Sequence, residues 1–133
     1  MKKNQIFHNS GVYFQLAYPK IIETLRLAAS EPLIQEKSFL KTESPPEEVS
    51  FLVEHAKMMS TVLYKNGYIS KSQLDSIIKL DEQFECFEKE DWTVSAMHKS
   101  KNWQITRKLG MQCLYEFSAD KAIPNLYWYK EKK

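Results

Sequence analysis

The chain has 133 residues, of which 43% are hydrophobic; this suits one domain with its own core and is too many for a disordered protein. It contains only three glycines and five prolines, which argues against a sandwich or barrel because those folds need many tight turns. The formal net charge of +2 gives little attraction to nucleic acid, and of 19 basic residues only Arg26 and Arg107 are the arginines that nucleic-acid readers favour. We therefore predict a single all-α domain over residues 1–133.

The first helix is predicted to begin at Pro19. Residues up to about Gly11 are expected to be irregular, and the apolar cluster of residues 12–16 precedes the proline, whose ring suits the first turn of a helix. Apolar residues then recur at helical spacing to Ala29, and Pro32 stops the pattern. A longer helix that includes residues 12–16 and is kinked at Pro19 is the alternative.

The next helix has the clearest start signal. In the Ser-Pro-Pro-Glu sequence of residues 44–47, the serine is suited to cap free N–H groups and the glutamate to complete a capping box. One apolar stripe follows as far as Leu63. The dipeptide Asn66-Gly67 then supplies the residues that best tolerate a left-handed helix end.

A third amphipathic pattern starts with Ser70 and Gln73, which repeat the capping signal, and breaks near Asp91. After a short segment over residues 92–99, Ser100 is predicted to cap a helix that runs to about residue 117.

Within this last helix, Gly110 lies in the apolar arc and is expected to permit close approach of another helix. The tail over residues 123–129 is expected to be a docked extended segment or a short strand. Together these segments predict a compact bundle of about four to six helices.

The sequence predicts no catalytic apparatus. His8, His55 and His98 lie in three different regions, and we expect His55 to be a surface or half-buried helix residue. No zinc-protease motif, glycine-rich phosphate loop or nucleophile elbow is present. The calcium-loop pattern is also missing, so we expect neither a metal nor another cofactor.

Negative charge is concentrated between residues 75 and 91, a stretch that contains seven carboxylates and only two lysines. Asp81, Glu85 and Glu88 recur at i, i+4 and i+7, so a continuous helix would align them along one side. One interpretation is that Arg26, Arg107 or nearby lysines neutralise these carboxylates within the domain.

The other interpretation is that the stripe binds a basic protein surface, with Phe87, Trp92 or Tyr115 as an aromatic anchor. On this hypothesis the candidate partner-binding residues are Asp81, Glu82, Glu85, Glu88, Glu90, Asp91 and Trp92.

Three parts of the chain carry a resemblance to a known class. They are the segment Leu-Tyr-Lys-Asn-Gly-Tyr-Ile at residues 63–69, the acidic stretch ending Glu90-Asp91-Trp92, and residues 103–117. In these parts the sequence resembles bacterial toxin-immunity proteins, of the kind encoded beside contact-dependent growth inhibition toxins. The resemblance implies tight one-to-one binding of a cognate toxin, often a nuclease, inside the producing cell. It offers no motif by which partner-binding residues could be transferred.

No stretch approaches the length of an apolar membrane span, and residues 4–11 supply no apolar core of a signal peptide, so we expect a cytoplasmic protein.

A small helical enzyme with an unfamiliar site is one alternative to an immunity protein. His55 or His98 beside a carboxylate in an open cleft would favour it. The other is a helical adaptor protein of a mobile element.

Overall fold

The structure is a computed structural model that describes residues 2–131, with side chains described for residues 10–130. Within this range the regular structure consists of helices alone, which confirms the all-α prediction. Two 3-10 turns, Phe84–Cys86 and Lys89–Asp91, follow the fourth α-helix. The α-helices are α1 (Lys2–Ala29), α2 (Pro32–Lys37), α3 (Pro45–Lys65), α4 (Lys71–Gln83), α5 (Val94–Lys99), α6 (Lys101–Glu116) and α7 (Tyr127–Glu131).

The four long helices form a ring in which α1 packs on α3, α3 on α4, α4 on α6, and α6 on α1. Neighbours run antiparallel. Tyr68, just after α3, contacts Ser10 near the start of α1, and Gln83 at the end of α4 donates to Asn102 at the start of α6. Apolar side chains fill the centre; the largest fully buried ones are Ile21, Leu25, Leu27, Leu63, Ile77, Leu80, Met97, Trp103, Leu114 and Leu126.

Helix α1 is longer than the sequence pattern predicts. The expectation of an irregular segment up to Gly11 is wrong, and the alternative of a helix through residues 12–16 is the one observed, with Pro19 inside it. Proline removes one helical hydrogen bond. The helix is packed against the domain on both sides of Pro19. Before it, Phe14 stacks on Tyr68 with ring centroids 4.8 Å apart, and after it Ile21 is fully buried. These contacts hold the helix together across the proline.

Three of the four predicted helix-end signals form as expected, and one of them is Ser100, whose hydroxyl accepts from the backbone N–H of Trp103 at the start of α6. Ser70 and Gln73 make a complete capping box at α4, and Gly67 adopts a left-handed φ of 80° after α3. The predicted box at α3 is wrong, since the Ser44 hydroxyl donates to the Glu47 carboxylate instead of accepting from the backbone. Two prolines start α3, so one N–H that a serine cap would normally satisfy is absent.

The end of α1 is closely covered by its neighbours. A β-carbon at Gly110 of α6 would lie 2.8 Å from the backbone nitrogen of Ala29, which confirms the predicted close approach. On another side the buried Gln35 of α2 donates from Nε2 to the carbonyls of Leu27 and Ala28, at 3.1 and 3.2 Å. The amide thus satisfies carbonyls that the end of a helix leaves without partners.

The C-terminal tail docks as a short helix. The expected extended segment or strand is wrong for residues 127–131, which form α7. Leu126 and Tyr129 are buried, and the Tyr129 hydroxyl lies 2.6 Å from Glu43 and also contacts Glu48. Burial and these two carboxylates raise the pKa of the Tyr129 phenol well above its usual range. Because the phenol stays protonated, it can donate its single proton to either carboxylate and hold α7 against the start of α3.

Candidate functional site

The predicted acidic stripe does not form as a helix face. Helix α4 ends at Gln83, and the chain passes through a 3-10 turn into extended backbone at Phe87 and Glu88. The expected alignment of Glu85 and Glu88 with Asp81 is therefore wrong. Like charges at these spacings weaken a helix, and a continued helix would carry residue 91 about 12 Å beyond residue 83. The turns bring it back against the core instead.

Asp81 is neutralised within the domain. Its carboxylate lies 2.8 Å from the Lys57 ammonium of α3, and its side chain is only 17% exposed. The hydrogen bond to Asp81 raises the pKa of Lys57 against the opposing effect of burial. Internal pairing, one of the two interpretations of the acidic stretch, thus holds for Asp81.

The two arginines are not the partners of the acidic stretch. Arg26 of α1 pairs with Glu23 and Asp120 at 2.8 and 2.9 Å. Arg107 of α6 donates to the carbonyl of Met97 at 2.9 Å. Pairing of the acidic stretch by either arginine, as the sequence allowed, is absent from the described side chains.

Asp91 faces inward and fixes the connection between α4 and α5. One carboxylate oxygen accepts from the backbone N–H of Glu88 and from the side-chain amide of Asn102, each at 2.8 Å. Burial acts to raise the pKa of Asp91, but hydrogen bonds from Asn102, Glu88 and Ser100 outweigh it and leave the pKa below its usual range. The buried, ionised carboxylate holds the turn, so we leave Asp91 out of the proposed binding surface.

Trp92 belongs largely to the packing of its own domain. It is half-buried, with its ring centroid 4.9 Å from that of Phe87 and 6.1 Å from that of Phe84. Both phenylalanines also contact Trp103, which is fully buried and donates from its indole nitrogen to the Asp91 carbonyl at 2.8 Å. We call these four rings the aromatic cluster. The rings support the acidic connection from beneath, while the outer parts of Phe87 and Trp92 stay accessible.

Four carboxylates remain directed to solvent. Glu82 lies in the last turn of α4, and Glu85, Glu88 and Glu90 lie on the connection that the aromatic cluster supports. All four are exposed, and none forms an ion pair with a side chain of residues 10–130. We call these four residues the acidic surface. It is the part of the predicted site that can meet a partner.

Tyr115, the third aromatic anchor considered from the sequence, lies elsewhere. It is 82% exposed near the end of α6, whereas Asn102 at the start of α6 contacts the acidic connection. Thirteen residues of helix separate the two, which is about 20 Å. An interface centred on the acidic surface would therefore rely on Phe87 and Trp92.

No metal centre is found in the part of the chain that the structure describes. Over those residues, no three His, Cys, Asp or Glu side chains are grouped as a metal ion requires.

Replacing Asp91 by alanine is expected to lower the free energy of unfolding by about 2 kcal/mol at pH 7, because two buried donors lose a charged acceptor. The lowered pKa means that this contribution is present above the ordinary pKa of about 4 and is lost as the pH falls below it. Urea unfolding at pH 7 and pH 3 measures both effects. Glu90→Ala, an exposed neighbour, is the matched control. Equal stability of the two variants at pH 7 would contradict the structural role of Asp91.

The molecule is thus an antiparallel four-helix ring with an acidic surface on its α4–α5 connection. No family model matches the chain, and neither a curated protein nor a solved structure is significantly similar to it. Among residues 2–131, no helix combines the length and apolar character needed to cross a membrane.

Proposed function

We propose that this protein binds a basic protein surface through its acidic surface. We further propose that the partner is a cognate toxin, which the protein neutralises in the cytoplasm, as the resemblance to contact-dependent growth inhibition immunity proteins implies. The observation that carries the proposal is the display of Glu82, Glu85, Glu88 and Glu90 to solvent without described ion-pair partners. A basic partner would supply the missing counter-charges.

The supporting packing keeps this surface in one shape. Asp91 and Trp103 tie the connection to α6 through hydrogen bonds of 2.8 Å. A surface that is ordered before binding loses less conformational entropy when a partner docks. Clustered charge of one sign also speeds the encounter with an oppositely charged protein and disfavours wrong partners.

The chemistry also fits a nuclease as the toxin. A nuclease must attract phosphate groups, so the entrance to its active site is basic. Carboxylates on a rigid support would compete for the same lysine and arginine side chains. Phe87 and Trp92 would add apolar contacts at the edge of this surface, where aromatic residues often dominate affinity.

Charge reversal tests the proposal. The double variant Glu85→Lys, Glu88→Lys is expected to bind the C-terminal domain of the toxin encoded next to this gene at least tenfold more weakly, with about 1.4 kcal/mol of binding free energy lost. Isothermal titration calorimetry measures the affinity, and a comparison of low and high salt shows how strongly salt weakens the interaction between the charged surfaces.

The matched control reverses two exposed carboxylates outside the acidic surface, Asp75→Lys near the start of α4 and Asp120→Lys after the end of α6. It keeps the same change in net charge and is expected to retain binding within threefold. Equal losses in the two double variants would assign the effect to net charge and contradict the acidic surface. No binding of that domain by the native protein would contradict the toxin as partner.

One observation bears on the alternative of a small enzyme. His98 Nε2 of α5 lies 3.0 Å from Glu36 Oε1 of α2, and Glu36 also lines an open cavity of about 430 Å³. The pair could serve in acid–base chemistry. The cavity lining also contains Lys37, Lys41 and Glu43, whose side-chain types can act as nucleophiles or bases. The pair of His98 and Glu36 is the observation that favours a small enzyme as the alternative function.

A further inference from the structure

A second open cavity lies between α1, α3 and α7, away from the acidic surface. Its volume is about 350 Å³, within the range of small-molecule sites. Phe51, Met59 and Trp128 give it apolar walls, and Lys20 and His55 line it as polar groups. We propose that this cavity binds a small aromatic carboxylate.

The walls favour a flat, apolar ligand body. Phe51 is 50% exposed, although it belongs to the amphipathic helix α3. The centroid of its ring lies 4.2 Å from the centroid of the His55 ring. Trp128 on α7 is half-buried and lines the same cavity. A ligand ring placed here would cover apolar surface of both side chains and gain aromatic contacts.

The polar groups favour an anion. Neither the Lys20 ammonium nor the His55 ring has a hydrogen bond or ion pair with the side chains of residues 10–130. Both can donate a hydrogen bond, and Lys20 carries a positive charge. Since one lysine supplies this charge, a monoanion such as a carboxylate matches it better than a phosphate dianion.

The lining also carries one negative charge, on Glu48, so a cationic ligand such as tryptamine is the competing ligand. The Glu48 carboxylate accepts the hydroxyl of Tyr129. The same contact holds α7 against α3, which keeps the Trp128 wall in place before any ligand arrives. A preformed site loses little entropy on binding.

Titration with three indoles tests the proposal on the native protein. Indole-3-acetate carries the carboxylate, 3-methylindole lacks it, and tryptamine replaces it with a cation. Indole-3-acetate is expected to bind with a Kd of about 1 mM or tighter, which is the affinity that ordinary ligand efficiency gives for its size. Tryptamine is expected to bind at least tenfold more weakly. Ligand-observed NMR and calorimetry measure both.

Variants then assign the cavity. Lys20→Met is expected to weaken indole-3-acetate at least tenfold and to leave 3-methylindole unchanged, whereas Phe51→Ala should weaken both. Lys65→Met, an exposed lysine at the end of α3 outside the cavity, is the matched control.

Tryptamine binding as tightly as indole-3-acetate, an unchanged affinity in Lys20→Met, or no binding by the native protein at about 10 mM ligand would each overturn the proposal. The first and third outcomes do not depend on any variant folding. These measurements involve no toxin, so their failure would leave the proposed function of the acidic surface unaffected.

Discussion

Replacing Trp103 by alanine is expected to lower the free energy of unfolding by about 3–5 kcal/mol. The side chain is fully buried, and its ring contacts Phe84 and Phe87 at centroid distances of 5.8 and 5.1 Å. Its loss would leave a cavity and remove the donor to the Asp91 carbonyl. Domains of this size are stable by about 5–15 kcal/mol, so much of the total would be lost.

Denaturant unfolding followed by circular dichroism measures this loss. Trp103→Phe is the informative companion, because it keeps a six-membered aromatic ring but removes the indole N–H and the five-membered part of the side chain. We expect it to be destabilised less than Trp103→Ala, because it leaves a smaller cavity. Stability of Trp103→Ala within about 1 kcal/mol of the native protein would show that the ring is not at the centre of the fold.

Replacing Gly110 by leucine is expected to lower the free energy of unfolding by about 3 kcal/mol. A β-carbon at this position would lie 2.8 Å from the nitrogen of Ala29 and 3.0 Å from the carbonyl carbon of Ala28. These are backbone atoms, which cannot rotate away as a flexible side chain could. Helices α1 and α6 would have to separate, and the buried contacts between them would weaken.

Gly11→Ala is the matched control, since Gly11 is also a helical glycine. A β-carbon there comes no closer than 3.5 Å to the Tyr68 hydroxyl, an ordinary contact. Alanine favours helix over glycine by about 0.8–1 kcal/mol, so this variant should be more stable than the native protein. If thermal or urea unfolding gave Gly110→Leu the same stability as the native protein, the close contact of α1 with α6 would be disproved.

Local signals explain which parts of the fold the sequence could predict. The box of Ser70 and Gln73 and the left-handed Gly67 depend on residues within one turn of the helix end, and both form as expected. The start of α1 depends on more distant partners. Phe14 is held by Tyr68, a residue of another connection, and a local pattern carries no information about that contact.

The candidate site shows the same difference between features set by local sequence and features set by tertiary contacts. Glu90 and Asp91 are adjacent carboxylates in the sequence, yet one is exposed and the other is buried against Asn102. Likewise Asp81 is paired by Lys57 of another helix. The concentration of charge could be predicted from composition alone. Which carboxylates face outward follows from the turns after Gln83 and from tertiary contacts, which have no signature in the acidic stretch itself.

The ring order of the helices has a consequence for how the protein is made. Helices α1, α3 and α4 can pack in the order in which they are synthesised, and such contacts form quickly. The contact of Ala28 and Ala29 with Gly110 cannot form until Gly110 has been synthesised, some eighty residues later on the nascent chain. At ordinary translation rates this takes roughly 4–16 s. Until then the growing chain carries an uncovered seam along α1, and α6 closes it as residues 101–116 emerge from the ribosome.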